Sequence, residues 1–149
     1  YTMLMTKSLA ASYLLTLRNK FIFPVNTAGI KLCVGEMPSD LELETLTQSS
    51  PRILDNVAAV INTTGMTNML KDVNWPPSFI MDKMPDNPTA IATKAGRISW
   101  CVFYHPTNNI VVLGDVSLTN GTGLVMVNRV DVEVGTPVSL TNITIQAGR

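Results

Sequence analysis

The residues whose types could do chemistry together lie in one stretch, RISWCVFYHPTNNIVVLGDVS, which runs from Arg97 to Ser117. It contains Cys101, the chain's only histidine, His105, and Asp115. A cysteine activated by a histidine that a carboxylate orients is an arrangement for nucleophilic catalysis. The first question is therefore whether these three residues can meet.

The periodicity of this stretch separates them. The side chains alternate with the period of a strand: one set is Ile98, Trp100, Val102 and Tyr104, and the other is Ser99, Cys101, Phe103 and His105. On a strand, Cys101 and His105 share a face but lie about 13 Å apart, at roughly 3.3 Å per residue. A nucleophile and its base need hydrogen-bond reach, about 2.6–3.2 Å. The stretch predicts a β-hairpin that turns at residues 105–109, with Trp100 in the core, and we expect no catalytic residue here.

Composition limits the class of protein. The chain has 149 residues, of which 46% are hydrophobic and 15% charged, and its formal net charge is zero. This predicts a single domain, residues 1–149, with enough apolar material for a core. No run of lysine and arginine forms a track for nucleic-acid phosphates, so no nucleic-acid partner is expected. A surface poor in charge favours contact with other proteins.

Metal, cofactor and membrane sites also lack a signal. One histidine and the absence of a CxxC pair give no metal-ligand spacing. The glycines of GTG, residues 121–123, lack the context of a dinucleotide-binding turn. No apolar run approaches the ~18–20 residues of a membrane span. Two buried thiols are favoured for Cys33 and Cys101, although the sequence leaves a disulfide between them open.

The first half of the chain predicts one helix and two or three strands. An amphipathic helix is expected over residues 7–19, with apolar side chains at i, i+4 spacing. A short strand, Ile30–Val34, ends at Gly35. Alternation over residues 41–47 predicts a second strand with one wet face, and residues 53–61 are compatible with a strand or a short helix.

The segment 66–94 differs in kind. It contains four of the nine prolines and four methionines, and it has no sustained period. We expect a long inserted loop, with at most one helical turn at residues 68–72. Such loops are usually functional or form interfaces, and the alternative is a loop that covers a sheet edge or a core opening. The candidate interface residues are Trp75, Phe79, Met81 and Met84.

The last third predicts regular antiparallel strands. In the run 124–134, Val130, Val132 and Val134 are expected to face one way, opposite the charged residues between them. The final strand changes parity at residues 141–142, which indicates a β-bulge. Strands joined by Gly, Asn and Pro turns at this spacing predict a mainly β fold: an antiparallel, jelly-roll-like β-sandwich with the N-terminal helix and the inserted loop added.

The order of these pieces resembles a family of small structural proteins of tailed bacteriophages. The residues that carry the resemblance are SLAASYLLTLRNKF, GIKLCVGEMPSD, the strand-like LELETLTQSSP, the aromatic strand followed by GDVS, the GTG turn, VEVGTPVSL and the final TNITIQ. They cover about two-thirds of the chain, and the inserted loop departs from the family pattern. The match is one of pattern and topology and includes no catalytic residue.

The resemblance implies a non-enzymatic virion component at the capsid surface, neck, tail or baseplate. It would be assembled in the host bacterial cytoplasm, and its partners would be other virion proteins and copies of itself in a symmetric oligomer. Neither a cofactor nor a small-molecule substrate is expected. The alternative is a lectin-like adhesion module that binds host glycans through exposed aromatic residues such as Trp75, Trp100 or Tyr104.

Overall fold

The computed structural model describes residues 29–62, 70–72, 78–81, 88–105 and 108–146. In these residues the protein is mainly β. The strands are β1 (Gly29–Val34), β2 (Val57–Asn62), β3 (Leu70–Asp72), β4 (Ser78–Met81), β5 (Thr89–Ile91), β6 (Gly96–His105), β7 (Asn108–Leu118), β8 (Val125–Val127), β9 (Asp131–Val132) and β10 (Pro137–Gln146). Two short helices, α1 (Asp40–Leu43) and α2 (Pro51–Leu54), lie between β1 and β2.

The strands form one sheet that curls into a nearly closed, barrel-like arrangement. The order around it is β2, β1, β6, β7, β8 and β10, with the β3–β4 hairpin on β10 and β9 on β6. Strand β5 pairs with the start of β10, and just beyond β5 the backbone N–H of Thr93 donates to the carbonyl of Ala58 at 2.7 Å. This bond links β5 to β2 and brings the two ends of the sheet together. Among the described strands, all pairs are antiparallel except β7 with β8, which is parallel.

The inside of the barrel holds the main core. Its residues are apolar and nearly all β-branched, leucine or alanine, as expected for side chains that fill a curled sheet. They are Ile30, Leu32, Val34, Ala58, Ala59, Ile61, Ala92, Ile98, Cys101, Phe103, Val116, Val125, Val127, Val130, Val132, Val138, Leu140 and Ile143.

A β-bulge places successive parts of β6 on different faces. Opposite β1, the register steps from Cys33–Trp100 to Val34–Ile98, so Ser99 is the extra residue. Because of this step, Ile98 points into the barrel with Cys101 and Phe103, whereas Trp100 and Val102 point outward. The predicted common face of Ile98, Trp100 and Val102 is therefore wrong. The predicted burial of Trp100 is confirmed, since its exposed fraction is 0%.

A second, smaller core lies on the outside of the sheet. Cys33, Ile53, Trp100 and Val102 are fully buried there. They are covered by the segment 35–56, which connects β1 to β2 and which we call the strap. The strap begins at Gly35, whose φ of +86° suits glycine, and it carries both helices.

Helix α1 replaces the strand expected over residues 41–47. Ser39 accepts a hydrogen bond from the backbone N–H of Glu42 at 3.2 Å, and the Glu42 carboxylate accepts one from the backbone N–H of Ser39 at 3.4 Å. These two bonds form a capping box, and a Ser followed three residues later by Glu is a sequence signature of such a helix start. Helix α2 begins with Pro51 at its first turn and resolves the ambiguity over residues 53–61: the helix ends at Leu54 and β2 follows.

The predicted inserted loop contains strands. Within residues 66–94 the structure has β3, β4 and β5, and residues 70–72, where a helical turn was the expectation, form β3. Short strands of three or four residues leave no sustained period in the sequence. Pairing with β10 places β4 and β5, and β3 pairs with β4. The predicted helix over residues 7–19 lies outside the described residues.

Two predictions for the last third of the chain are confirmed, and one is wrong. The hairpin is confirmed as β6 and β7, and the bulge near residues 141–142 is confirmed by the register step between Leu140 and Asn142. The prediction for Val134 is wrong: Val130 and Val132 are buried, but Val134 is exposed because it lies in the turn before β10.

Candidate interaction surfaces

The three residues that opened the catalytic question have different environments. The Cys101 side chain is buried in the barrel, and burial raises the pKa of its thiol. Asp115 is exposed, and its carboxylate accepts a hydrogen bond from the backbone N–H of Leu124 at 2.9 Å. His105 pairs with Asn108 at the end of the hairpin, and its side chain lies outside the described residues. Cys101 is thus a protonated core thiol at neutral pH, which is a poor nucleophile.

Both cysteines are free thiols. Cys33 lies in the outer core, and burial raises its pKa from 9.0 to about 12. Cys101 lies in the inner core on the neighbouring strand, where it pairs with Leu32. The two thiols point to opposite faces of the sheet, which accounts for the absence of a disulfide between them.

The described residues contain no group of three or more histidine, cysteine, aspartate or glutamate side chains placed to hold a metal ion. None of the helices in this part of the chain is long and apolar enough to cross a membrane. The described surface presents exposed apolar and charged side chains, which make it a candidate interaction surface.

The interface residues expected from the sequence are only partly located. Phe79 and Met81 lie in β4, where Phe79 pairs with Ile145 of β10 and Met81 pairs with Leu70 of β3. Their side chains, and Trp75 and Met84 altogether, lie outside the described residues. The structure adds one fact: the central part of the segment is a hairpin on the edge of the sheet, next to β10.

The strap presents the first apolar surface. Leu41 is 78% exposed and Leu54 is 52% exposed, with Met37 and Leu43 also exposed on the same segment. We call these four residues the strap patch. Leu41 lies on α1 and Leu54 on α2, and the two helices are joined by an ion pair between Arg52 and Glu42 at 3.0 Å. Exposed large apolar side chains grouped on one segment are a candidate interaction site.

Arg52 fixes the strap to the barrel. Its guanidinium lies 5.5 Å from the ring centroid of Trp100, and it also donates to the carbonyl of Glu36. The hydrogen bond from Arg52 holds the pKa of the Glu42 carboxyl below its usual value, with the Ser39 backbone bond adding to the effect. Trp100 in turn donates its indole N–H to the carbonyl of Val34 at 3.0 Å. The strap that carries the patch is therefore held on the sheet by contacts of Arg52 with Glu42, Glu36 and Trp100, and Trp100 itself is bonded to β1.

The burial of Trp100 bears on the glycan-binding alternative. A sugar-binding aromatic residue must expose a ring face, and Trp100 exposes none. Trp100 is therefore excluded as a sugar platform. The side chains of Trp75 and Tyr104 lie outside the described residues.

A second apolar surface lies where β2 meets β5. Val60 is exposed on β2 and Ile91 on β5. The carbonyl of Ala58 in β2 accepts a hydrogen bond from the N–H of Thr93, just after β5, and we call this junction of β2 and β5 the seam. Because the two strands run antiparallel, Val60 and Ile91 are neighbours across the seam, two residues along each strand from that bond. Val134 is close by, because Gly135 donates its N–H to the carbonyl of Ala92 at 2.8 Å.

A charged cleft lies beside this seam. It is open to solvent, has a volume of about 670 Å³, and is lined by Ala95, Gly96, Arg97, Arg129, Asp131, Val132, Glu133 and Thr136. Arg97 and Asp131 form an exposed ion pair at 3.5 Å across β6 and β9. Two arginines and two carboxylates give the cleft a balanced formal charge.

The motifs GDVS, GTG and VEVGTPVSL form turns and core contacts in the structure. The Ser117 hydroxyl accepts from the N–H of Gly123 at 2.9 Å, and Asp115 holds the N–H of Leu124, so GDVS and GTG bind each other. A Cβ at position 123 would lie 2.6 Å from the backbone nitrogen of Ser117, so this close approach requires glycine. The segment VEVGTPVSL forms the turn into β10 and places Val138 and Leu140 in the core.

The sequence reasoning missed the strap patch. Its signal was present as SDLE, residues 39–42, because a Ser–x–x–Glu capping box predicts a helix start. It also missed the charged cleft, since the pairing of β9 with β6 brings together residues more than thirty positions apart.

No protein-family model, no curated protein and no solved structure matches the chain. The functional conclusion therefore depends on its own residues and their geometry.

Proposed function

We propose that the protein is a non-enzymatic structural component of a tailed-bacteriophage virion. It acts by packing against other virion proteins and copies of itself, at the capsid surface, neck, tail or baseplate. The observation that carries the proposal is the strap patch, a set of exposed apolar side chains on a segment whose two helices are joined by the Arg52–Glu42 ion pair. The phage particle is inferred from the resemblance of the sequence pattern to small structural proteins of tailed bacteriophages.

The energetics favour burial of the strap patch in an assembly. Removing a leucine side chain from water contributes roughly 1.5–3 kcal/mol when burial is complete. Leu41 is 78% exposed and Leu54 is 52% exposed in the isolated chain, so more than half of this free energy is still to be gained on burial. The ion pair and the capping box stabilise the two helices before contact, which reduces the conformational entropy lost on docking.

Two further sequence-based expectations belong to this proposal. One is that the hairpin region with Trp75, Phe79, Met81 and Met84 supplies additional contacts. The other is the jelly-roll-like sandwich, in which the two halves of the sheet would pack face to face. Mainly β domains of this kind suit repeated packing, because a rigid sheet presents fixed surfaces to its neighbours.

The test is Leu41→Asp in the phage that carries the gene. Leu41 is the second residue of α1 and is exposed, and an acidic side chain at a helix N-terminus is favourable, so folding should be unaffected. We expect the variant chain to accumulate and fold but to be depleted from purified virions.

The matched control is Leu118→Asp, which places the same charge at another exposed leucine, at the end of β7. Normal incorporation of both variants would show that the strap patch is not an interface. Absence of even the unmodified chain from virions would refute the structural role itself.

A further inference from the structure

The edge of β9 is open among the described strands. Of the strands that the structure describes, β9 pairs with β6 alone, through Gly96–Val132 and Arg97–Asp131. The N–H of Ile98 donates to the carbonyl of Val130 at 2.8 Å, so this pair is hydrogen-bonded. Hydrogen-bonded and non-bonded pairs alternate in an antiparallel ladder, so the N–H and C=O of Asp131 point away from β6. They are directed to the free edge.

The charges along this edge are self-complementary. Val130 and Val132 are buried, whereas Arg129, Asp131 and Glu133 are exposed on the opposite face. Within the described residues, neither Arg129 nor Glu133 has an ion-pair partner. In an antiparallel pairing of two such segments centred on Asp131, Arg129 of each copy faces Glu133 of the other. Two new ion pairs then form, related by a twofold axis.

Asp131 can lie on that axis because Arg97 neutralises it. The existing contact joins one guanidinium nitrogen of Arg97 to one carboxylate oxygen of Asp131 at 3.5 Å. The remaining donors of Arg97 and the second oxygen of Asp131 stay available to the other copy. Two arginines and two aspartates would then alternate at the centre, without unbalanced like charge.

We propose that the face formed by Arg97, Arg129, Asp131 and Glu133 docks a second copy of this chain about a twofold axis at Asp131. Charge complementarity selects the partner, and the neighbouring Val134, 72% exposed, adds apolar area at the rim. The contact deepens the proposed function, on which it rests for its place in a particle, by naming a second copy as the partner of this face.

The test is a charge-swap series on the purified full chain, followed by sedimentation equilibrium at low salt. We expect concentration-dependent dimers that weaken as salt increases. Arg129→Glu and Glu133→Arg should each weaken dimerisation roughly tenfold to a hundredfold, because each creates two like-charge contacts. The double variant, Arg129→Glu with Glu133→Arg, restores both pairs with reversed polarity and should recover the original dissociation constant.

The control is Glu44→Arg, an exposed charge change on the strap that should leave dimerisation unchanged. A chain that stays monomeric at millimolar concentration refutes the inference, as does a double variant no better than the single ones. A monomeric chain that still enters virions refutes this contact and leaves the proposed function intact. If the dimer responds to the charge-swap variants as expected but the chain never enters virions, this contact is supported and the proposed function is refuted.

Discussion

Replacing Trp100 with alanine should destabilise the protein by about 3–5 kcal/mol, the range for removing a large aromatic side chain from a core. Trp100 is fully buried, and it packs with Cys33, Ile53 and Val102 between the sheet and the strap. The substitution also removes the surface on which Arg52 stacks. For a domain of this length, about 2–4 °C of melting temperature corresponds to each kcal/mol, so a decrease of roughly 6–20 °C is expected.

Trp100→Phe separates packing from hydrogen bonding. Phenylalanine retains most of the apolar ring but cannot donate to the carbonyl of Val34, which the indole N–H reaches at 3.0 Å. A buried acceptor that loses its partner costs about 1–3 kcal/mol. The phenylalanine variant should therefore lie between the parent and the alanine variant.

The assay is urea denaturation followed by far-ultraviolet circular dichroism, with thermal melting in parallel. The slope of the transition should stay constant, so that the midpoint reports stability alone. An alanine variant within about 1 kcal/mol of the parent would refute the reasoning, because a fully buried tryptophan cannot be removed at that cost.

Three other perturbations test separate parts of the structure. Ser39→Ala removes the hydroxyl that caps α1 and should cost about 1 kcal/mol in urea denaturation; an unchanged midpoint would contradict the capping role. Gly123→Ala places a Cβ 2.6 Å from the backbone nitrogen of Ser117, and the melting temperature should decrease; a parent-like melt would mean that the turn is not tight. Burial raises the pKa of Cys33 from 9.0 to about 12 and also raises that of Cys101. Unfolded thiols therefore lose protons above pH 9.0 while native thiols keep them, so the free energy of unfolding should fall as pH increases from about 9 to 12. A variant with both cysteines changed to alanine should lose less stability over that range, and equal losses would argue against the burial.

Local patterns in the sequence predicted local structure. The β6–β7 hairpin and the bulge in β10 follow from alternation, turn residues and a change of parity, all within about twenty residues. The capping box at Ser39 was equally local, but the chance alternation over residues 41–47 obscured it. Two signals competed there, and the hydrogen bonds of the box prevailed.

Long-range pairing was beyond the sequence reasoning. The seam between Ala58 and Thr93, the parallel pairing of β7 with β8, and the placement of β9 on β6 join distant segments. Burial on both faces of β6 was also missed, because alternation was taken to mean one core face. The strap covers the outer face, and the extra residue Ser99 moves Ile98 to the inner one.

The candidate surfaces depend on these same long-range contacts. The strap patch is exposed because Arg52 holds the two short helices against Trp100, and the charged face exists because β9 brings Asp131 to Arg97. Spacing along the chain marks the start of α1 at Ser39, but it locates neither surface. The predicted interface residues Trp75, Phe79, Met81 and Met84 stay a prediction.

The central claim, that the chain is a virion component, is tested most directly by quantitative mass spectrometry of virions. Particles from a host that produces the phage would be purified by density gradient, and the chain would be quantified against the most abundant particle protein. The proposal predicts that the chain bands with the particles in a fixed, multi-copy ratio that survives repeated purification. A chain found only in the unassembled fraction, or at a ratio that falls with each gradient, would contradict it.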